Sequence, residues 1–226
     1  MSSCEVRRLG RLTFAEASAL QRDLVARRQR GTIPDQLLLL EHPHTITLGR
    51  NGKPQHLLAG EAALRAAGIV FAETDRGGDI TYHGPGQVVG YPIIDLREWK
   101  RDVAAYVRAL EQVMLDVVES YGLPGGRVPG WTGVWVGGAK IGAIGVHISR
   151  WVTSHGFAFN VQTDLRYFQY IVPCGLAKPV TSLAELGVRA EVREVEDRLA
   201  EAFGRVFGRE ILPGEQPEWT ALEMAR

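Results

Sequence analysis

Cys174 is the side chain best suited to covalent chemistry in this sequence, because it lies in a turn-like Pro-Cys-Gly context. A lone cysteine is often an inert core residue, but a turn would expose the sulfur, and Gly175 would leave room for a substrate carbonyl. Cys4 lies near the N-terminus and is interpreted as a bystander. Two thiols so far apart predict neither a disulfide framework nor a CxxC pair. The pattern therefore favours Cys174 as a nucleophile.

Lys140 begins a very apolar, glycine-rich stretch and could activate that thiol. An arbitrary lysine here would be an exposed residue just outside a turn. A nearby ammonium that lowered the thiol pKa by about two units would make the thiolate the major form at neutral pH. A lysine in apolar surroundings could instead act as a neutral base, and the sequence leaves both roles open. Small residues at 142, 143 and 145 predict a bare strand face that suits an apolar chain.

The segment 76–87 combines several glycines with Arg76, Tyr82 and His83. Its glycines alone could describe a hairpin with two turns, but the polar side chains among them favour a ligand-binding loop. The segment contains neither a Gly-Lys-Ser/Thr phosphate loop nor a GxGxxG fingerprint. His42 and His44 form an H-x-H pair without further ligands, which is typical of a turn, so no metal is predicted.

The whole chain has the composition of a soluble globular protein, with 226 residues, of which 45% are apolar and 23% charged. Its formal net charge of +0 gives no reason to expect a nucleic-acid partner. No apolar run approaches the ~20 residues of a membrane span, and the N-terminus has no signal-peptide pattern. We therefore expect a cytoplasmic protein without a membrane partner, in a reducing compartment that would keep Cys174 free.

The elements that must position these residues follow from apolar spacing and turn signals. A capping box of Thr13 and Glu16 predicts the start of the first helix. The predicted helices cover 13–30, 60–67, 102–121 and 191–207, and the predicted strands cover 36–41, 45–49, 69–73 and several stretches within 131–161, with tight turns near Gly137-Gly138 and Ser149-Arg150. Because helices and strands mix without a regular βαβ rhythm, we expect a single α+β domain over residues 1–212, with a mixed sheet, and a tail over 213–226.

Three motifs, in this order and spacing, are recognisable: RGGDITYHGPGQVVGYPIIDL, KIGAIGVHISRWVTSHGFAFNV and PCG. Together they resemble the octanoyltransferases of lipoate biosynthesis, the lipoate–protein ligase B family, over residues from about 36 to 186. The resemblance implies a largely antiparallel sheet flanked by helices, as in biotin and lipoate protein ligase catalytic domains. It implies no cofactor: an octanoyl group passes from octanoyl-acyl carrier protein to a cysteine, then to a lysine of a lipoyl domain. The expected acceptors are lipoyl domains of 2-oxoacid dehydrogenases and the glycine cleavage H protein, and we expect a monomer.

The resemblance also assigns residues. Cys174 matches the acylated nucleophile and Lys140 its partner lysine, and His83 is expected to be catalytic. The residues expected to bind the acyl group are Arg76, Gly77, Gly78, Asp79, Ile80, Thr81, Tyr82, His83, Ala143, Ile144, Gly145, His155, Gly156, Phe157 and Ala158. One of His83 and His155 could hydrogen-bond the thiolate or the incoming amine, while the other braces a loop.

The sequence departs from the family pattern at three positions, which we expect to alter the shape of the acyl tunnel. Phe157 and Phe159 replace smaller aliphatic residues, and Gly142 replaces Ala, Ser or Cys. Three rival functions remain: an ATP-dependent lipoate or biotin ligase with the same fold, a cysteine hydrolase, and a non-catalytic acyl-binding protein. Candidate docking residues for an acidic partner are Arg50, Lys53, Arg150 and Lys178.

Overall fold

The computed structural model describes residues 2–172 and 178–214. Its helices and strands are β1 (Ser3–Arg11), α1 (Phe14–Gln29), β2 (Asp35–Glu41), β3 (Thr45–Leu48), α2 (Glu61–Ala66), β4 (Val70–Glu73), β5 (Ile80–His83), β6 (Gln87–Ile93), α3 (Val103–Ser120), β7 (Gly125–Val128), β8 (Trp131–Val136), β9 (Ala139–Ser149), β10 (Val152–Asn160), α4 (Val192–Phe207) and β11 (Glu210–Pro213). Within the described ranges, short 3₁₀ turns lie at 54–56, 96–98 and 165–170.

In the part of the chain that the structure describes, the larger sheet has eight strands in the order β11-β1-β2-β6-β10-β9-β8-β7. Strand β1 runs parallel to both of its neighbours, and all later pairings in this sheet are antiparallel. A smaller sheet has the order β4-β3-β5. The prediction of an α+β fold with a mixed, largely antiparallel sheet flanked by helices is therefore confirmed.

Helix α1 starts as the capping box predicts. The Thr13 hydroxyl accepts the Glu16 backbone N–H at 3.3 Å, and the Glu16 carboxylate accepts the Thr13 backbone N–H at 2.8 Å. Two otherwise unpaired backbone donors are thus satisfied at the helix start. The helix packs Ala17 and Leu24 onto one face of the large sheet, which places the N-terminal end of α1 beside the site described below.

The opposite face of the large sheet carries the main core. Helix α3 buries Tyr106, Leu110, Val113 and Met114 on the stripe that its three- and four-residue spacing predicts. Helix α4 packs beside α3 and begins at Val192, one residue after the expected start. The two faces of the sheet therefore serve different purposes: one is filled by helices α3 and α4, while the other is left partly open next to α1.

The structure shifts one expected turn by a single residue and corrects one expectation about a strand face. The turn between β9 and β10 is made by Arg150 and Trp151, with φ of 50° and 67°, one residue later than expected. Gly142 does not share a face with 143 and 145, because successive strand residues point to opposite sides. A Cβ at Gly142 would lie 2.6 Å from the Met114 sulfur, on the α3 side of the sheet.

Strand β11 pairs in parallel with β1 as far as Pro213, and residues 215–226 lie outside the described chain. The division between domain and tail at residue 212 stays a prediction. Within the described ranges, no helix is long and apolar enough to cross a membrane.

Candidate functional site

A pocket of about 390 Å³ lies against the large sheet, is lined by Phe14 of α1 and by Val107 of α3 among others, and is the candidate site. Its floor comes from small or apolar residues of three neighbouring strands: Val89, Ala143, Gly145, Gly156 and Ala158. The chain segment from Arg76 to Thr81 and the side chain of His83 complete one wall, and Phe14 of α1 lies at another. This volume falls within the usual range for a small-molecule site. An apolar floor with a few polar groups suits an acyl chain.

The loop 76–78 can lie against strand β9 only because Gly145 has no side chain. A Cβ there would lie 2.8 Å from the Gly77 carbonyl oxygen and 3.0 Å from Arg76 Cδ. The Gly77 backbone N–H donates to the Val146 carbonyl at 2.8 Å, which ties the loop to the strand. The two motifs that suggested a binding site, one in segment 76–87 and one in β9, are thus in direct contact.

Arg76 is buried at the loop start and anchors the loop to the small sheet. Its guanidinium donates to the Thr47 hydroxyl at 3.2 and 2.9 Å and to the Thr47 carbonyl at 2.7 Å. It also donates to the Gly77 carbonyl at 3.1 Å. The expected substrate-binding arginine therefore lines the pocket while it fixes the pocket wall.

Asp79 lines the pocket but directs its carboxylate into the surrounding loops. The carboxylate accepts the backbone N–H groups of Ile80 and Lys53, at 2.7 and 3.3 Å, and contacts His56 Nδ1 at 2.5 Å. The carboxylate of Asp79 therefore holds the segment 53–56 against the site through these hydrogen bonds. Ile80 and Thr81 also line the pocket, as expected of acyl-binding residues.

Tyr82 is the one residue of the expected set 76–83 that does not line the pocket. Strand alternation turns its side chain into the core of the small sheet, where it is fully buried. Its hydroxyl contacts His44 Nδ1 at 2.7 Å, and its ring stacks on Tyr167 with centroids 5.2 Å apart. His44 and Tyr82 therefore support each other structurally.

His83 lies in the pocket wall with both ring nitrogens in contact with polar side chains. Nδ1 lies 2.8 Å from Gln87 Oε1, and Nε2 lies 3.3 Å from the Thr47 hydroxyl. Burial, aided by the nearby charges of His42 and Arg76, lowers its pKa to about 3. The ring is therefore neutral at physiological pH, and a pKa so far below neutrality makes it a weak base, which argues against a general-base role for the residue that was expected to be catalytic.

His155 lies elsewhere on the pocket wall and is held by three contacts. Its Nε2 lies 2.7 Å from Asp75 Oδ1, its backbone N–H donates to Gln21 Oε1 at 2.7 Å, and its ring stacks on Phe14 with centroids 6.4 Å apart. Its φ of 55° is unusual for a residue inside a strand, and it is maintained by these contacts. Burial lowers its pKa, although Asp75 opposes that shift.

Phe157 and Phe159, the two phenylalanines expected to alter the acyl tunnel, belong to the main core of the large sheet. The Phe157 ring occupies the space that a side chain at Gly90 would fill. It also borders the pocket, as expected of an acyl-binding residue. Phe159 is fully buried in that core and does not line the pocket. Ile144 packs against the same core and also borders the pocket.

Lys140 borders the pocket at the start of β9. Its ammonium lies 4.8 Å from the Trp135 ring centroid, a cation–π distance. Its main chain pairs with the segment after residue 178: its N–H donates to the Pro179 carbonyl, and its carbonyl accepts the Thr181 N–H, both at 2.9 Å. Lys178 lies nearby, 4.5 Å from the Trp131 ring. Lys140 is thus fixed beside the segment that follows the expected nucleophile.

Cys174, the expected nucleophile, lies outside the described residues, which stop at 172 and resume at 178. On the near side, the Val172 N–H donates to the His56 carbonyl at 2.8 Å; on the far side, Pro179 pairs with Lys140. Cys4 is fully buried, and burial raises the pKa of its thiol, which agrees with its interpretation as a bystander.

His42 and two of the candidate docking residues, Arg50 and Arg150, also have defined places in the structure. His42 is buried, accepts the Tyr91 hydroxyl at 2.7 Å and contacts the Leu12 carbonyl at 2.7 Å. Arg50 follows β3, next to loop 76–79, whereas Arg150 lies in the turn at the opposite end of β9 from Lys140. No group of three metal-ligating side chains occurs in the part of the chain that the structure describes.

Several pocket residues were not expected from the sequence: Phe14, Gln87, Tyr91, Trp131 and Asn160. Gln87 and Tyr91 lie within the first motif, and Asn160 is the last residue but one of the second. The motifs therefore contain these residues without marking them as part of the site. Phe14 comes from the other end of the chain, and only the packing of α1 brings it here.

Comparisons with known proteins agree with this fold. The family described as the lipoyl protein ligase A/B catalytic domain matches residues 13–204. An octanoyltransferase of Solibacter usitatus is 64% identical over 214 residues, 95% of this chain and 97% of its own. Among solved structures, a bi-partite lipoate protein ligase from Thermoplasma acidophilum superposes with a TM-score of 0.78 at 16% identity, over 100% of this chain and 90% of that one.

A lipoate-protein ligase A bound with ATP is also similar in fold, with a TM-score of 0.75 at 18% identity over 98% of this chain and 92% of that one. These two structures support the fold alone, because their sequence identities are low. The family match and the 64% identical relative also establish the family, because both span most of the chain. The chain belongs to the lipoyl protein ligase A/B catalytic domain family, and its similar relatives include octanoyltransferases.

Proposed function

We propose that this protein is an acyltransferase of lipoate metabolism that transfers an octanoyl group from octanoyl-acyl carrier protein to a lysine of lipoyl domains. The observation that carries the proposal is an apolar pocket of about 390 Å³ bordered by Lys140, in a chain 64% identical to an octanoyltransferase. The small residues of the pocket floor, such as Ala143 on β9 and Ala158 on β10, would lie along the acyl chain.

In the proposed reaction, the Cys174 sulfur attacks the carbonyl carbon of the carrier's thioester. A new C–S bond forms, the carrier's C–S bond breaks, and the carrier leaves as a thiol after it takes up a proton. The neutral amine of the acceptor lysine then attacks the enzyme thioester, loses a proton and releases Cys174 as a thiol. Exchange between thioesters is nearly isoenergetic and amide formation is downhill, so the reaction needs no ATP.

Lys140 would supply the positive charge or the base that generates the thiolate. The placement of its main chain beside residues 179–181 supports this role, because that segment begins a few residues after Cys174. His83 and His155 are assigned positioning roles, since the pKa of each is lowered by burial and their ring nitrogens contact fixed polar groups.

The decisive experiment is the intact mass of the protein after incubation with octanoyl-carrier protein. We expect a gain of one octanoyl group, labile to hydroxylamine, in the parent and in the matched control Cys4→Ala. The adduct should be absent in Cys174→Ser. If the octanoyl adduct formed in Cys174→Ser as it does in the parent, the covalent mechanism would be overturned.

The same assay separates the rivals. A ligase would use free octanoate with ATP and would keep its activity in Cys174→Ser. A cysteine hydrolase would release octanoate steadily without an acceptor domain. An acyl-binding protein would bind octanoyl groups and never show the adduct. The proposed donor, acceptor domains, monomeric state and cytoplasmic location all stay predictions, and purified lipoyl domain is the acceptor to try first.

A further inference from the structure

Four buried polar side chains beside the pocket do not themselves react in the chemistry proposed above. They are Thr47, His83, Gln87 and Asn160. Burying polar groups costs free energy unless each one is hydrogen-bonded, so their contacts need a complete account. Those contacts form one continuous chain that starts at Arg76.

The two ends of this chain fix the direction of every hydrogen bond within it. Arg76 can only donate, and two of its N–H groups, at 2.9 and 3.2 Å, occupy both lone pairs of the Thr47 hydroxyl. The hydroxyl therefore gives its own hydrogen to His83 Nε2 at 3.3 Å. His83 therefore carries its proton on Nδ1 and donates to Gln87 Oε1 at 2.8 Å.

The Gln87 amide then donates to Asn160 Oδ1 at 2.9 Å, and also to the Tyr82 carbonyl at 3.2 Å. Asn160 Nδ2 donates to the Thr181 carbonyl at 2.9 Å, and a carbonyl can only accept. All four intervening side chains thus have one allowed orientation.

The far end of this chain reaches the main chain of Lys140. Thr181 accepts from Asn160 through its carbonyl, and it donates its own backbone N–H to the Lys140 carbonyl at 2.9 Å. The Asn160 carbonyl in turn accepts the Leu183 N–H at 3.1 Å. Asn160 therefore holds the segment 181–183 with both its side chain and its main chain.

We propose that Asn160 is a positioning residue for acyl transfer. It ends a one-way hydrogen-bond relay from Arg76 that fixes Thr181, and through Thr181 the main chain of Lys140, relative to the acyl pocket. The effect on transfer rests on the proposed function, whereas the relay itself does not. His83 belongs to the relay as a neutral link, and its Nε2 lone pair is occupied by Thr47 rather than available to a substrate.

Direct evidence for the relay would come from the histidine ring nitrogens of the full-length, unmodified protein. With ¹⁵N-labelled histidine, we expect the NMR signals of His83 to show the neutral Nδ1–H form unchanged from pH 5.5 to 8.5. His83→Asn assigns those signals by their loss. An Nε2–H form, or a titration of His83 within that range, would overturn the relay.

The positioning role is tested by Asn160→Asp, which keeps the acceptor for Gln87 but cannot donate to Thr181. We expect the single-turnover rate of thioester formation to fall about 10- to 10²-fold, as for small misplacements of reacting groups. The donor concentration at half-saturation should stay unchanged, and so should the His83 signals. Asn51→Asp makes the same change at an exposed site and should keep the parent rate.

A rate for Asn160→Asp within twofold of the parent, in protein shown by circular dichroism to be folded, would refute the positioning role. Should that variant not fold, Gln87→Met removes the donor to Asn160 at similar volume and should give the same loss. If the parent forms no thioester at all, the proposed function fails, yet the histidine signals still decide whether the relay exists.

Discussion

At the scale of single residues, Lys140 has its main chain and its ammonium in different environments. The main chain is fixed by paired hydrogen bonds to residues 179 and 181, while the ammonium lies over the Trp135 ring. Lys178 lies over the same ring system, with its ammonium 5.2 Å from the Trp135 centroid. Two lysines therefore lie close to one indole, but only Lys140 borders the pocket, so the two can be compared as a matched pair.

Replacing Lys140 by alanine should slow enzyme acylation by a factor that depends on pH. An unassisted thiol, with a pKa of about 8.5, is only about 3% ionised at pH 7, so a loss of about 30-fold is expected there. The loss should shrink towards parity near pH 9.5, where the thiol ionises by itself. Lys178→Ala is the control and should stay near the parent rate at saturating donor concentration, where a contribution of Lys178 to docking no longer affects the rate. An equal loss at all pH values would mean that Lys140 positions substrate instead.

Single residues also mark how far the sequence alone could lead. The motifs placed Arg76, Gly145 and Ala158 around one pocket, because their residue types already implied a close backbone approach and an apolar floor. They did not distinguish Tyr82, which strand alternation turns away from the pocket. Nor could they identify Asn160, since its role depends on a contact with Thr181, 21 residues later.

At the scale of elements, the hairpin of β9 and β10 contains an unfavourable turn. Arg150 and Trp151 both have positive φ, a conformation that costs most residues about 1–2 kcal/mol and that asparagine and glycine adopt more readily. The turn lies at the far end of β9 from Lys140, so a change there tests the stability of the hairpin without touching the lysine end of the site.

Arg150→Asn should raise the free energy of unfolding by about 0.5–1 kcal/mol, because asparagine relieves the strain at the first turn position. Urea denaturation would show this as a higher midpoint with an unchanged slope. Ser149→Asn, one residue earlier at the end of β9, should give no gain. A stabilisation of equal size from both substitutions would contradict the explanation by backbone strain.

Elements with local determinants were predictable, and those with distant ones were not. The capping box fixed the start of α1, and the apolar stripe fixed α3, because both signals lie within one element. The three-strand sheet β4-β3-β5 pairs β3 with strands that begin 25 and 35 residues after it, which no local pattern specifies. The inward turn of His155 depends likewise on Gln21, 134 residues away.

At the scale of the whole molecule, buried titratable groups give the fold a pH dependence with two opposing parts. Burial lowers the pKa of His42 to about 4 and that of His83 to about 3, so the unfolded chain binds their protons first and stability is lost as pH falls below about 6.5. Together these two pKa shifts lower the free energy of unfolding by about 4 kcal/mol between pH 8 and pH 5. Glu196 acts in the opposite sense, because burial raises its pKa to about 7.

Glu196 on α4 binds a proton in the folded state at pH values where the unfolded carboxyl, with a pKa near 4.3, has already lost it. Its stabilising effect is therefore present at low pH and lost as pH rises through 7. Glu196→Gln should make the drop in unfolding free energy from pH 8 to pH 5 larger by about 2.5 kcal/mol. Urea titrations at both pH values measure this, with Glu201→Gln, exposed on the same helix, as a control that should leave the drop unchanged. An unaltered drop in Glu196→Gln would mean that this carboxyl is ionised in the folded protein, and that the contacts with Arg193 outweigh its burial.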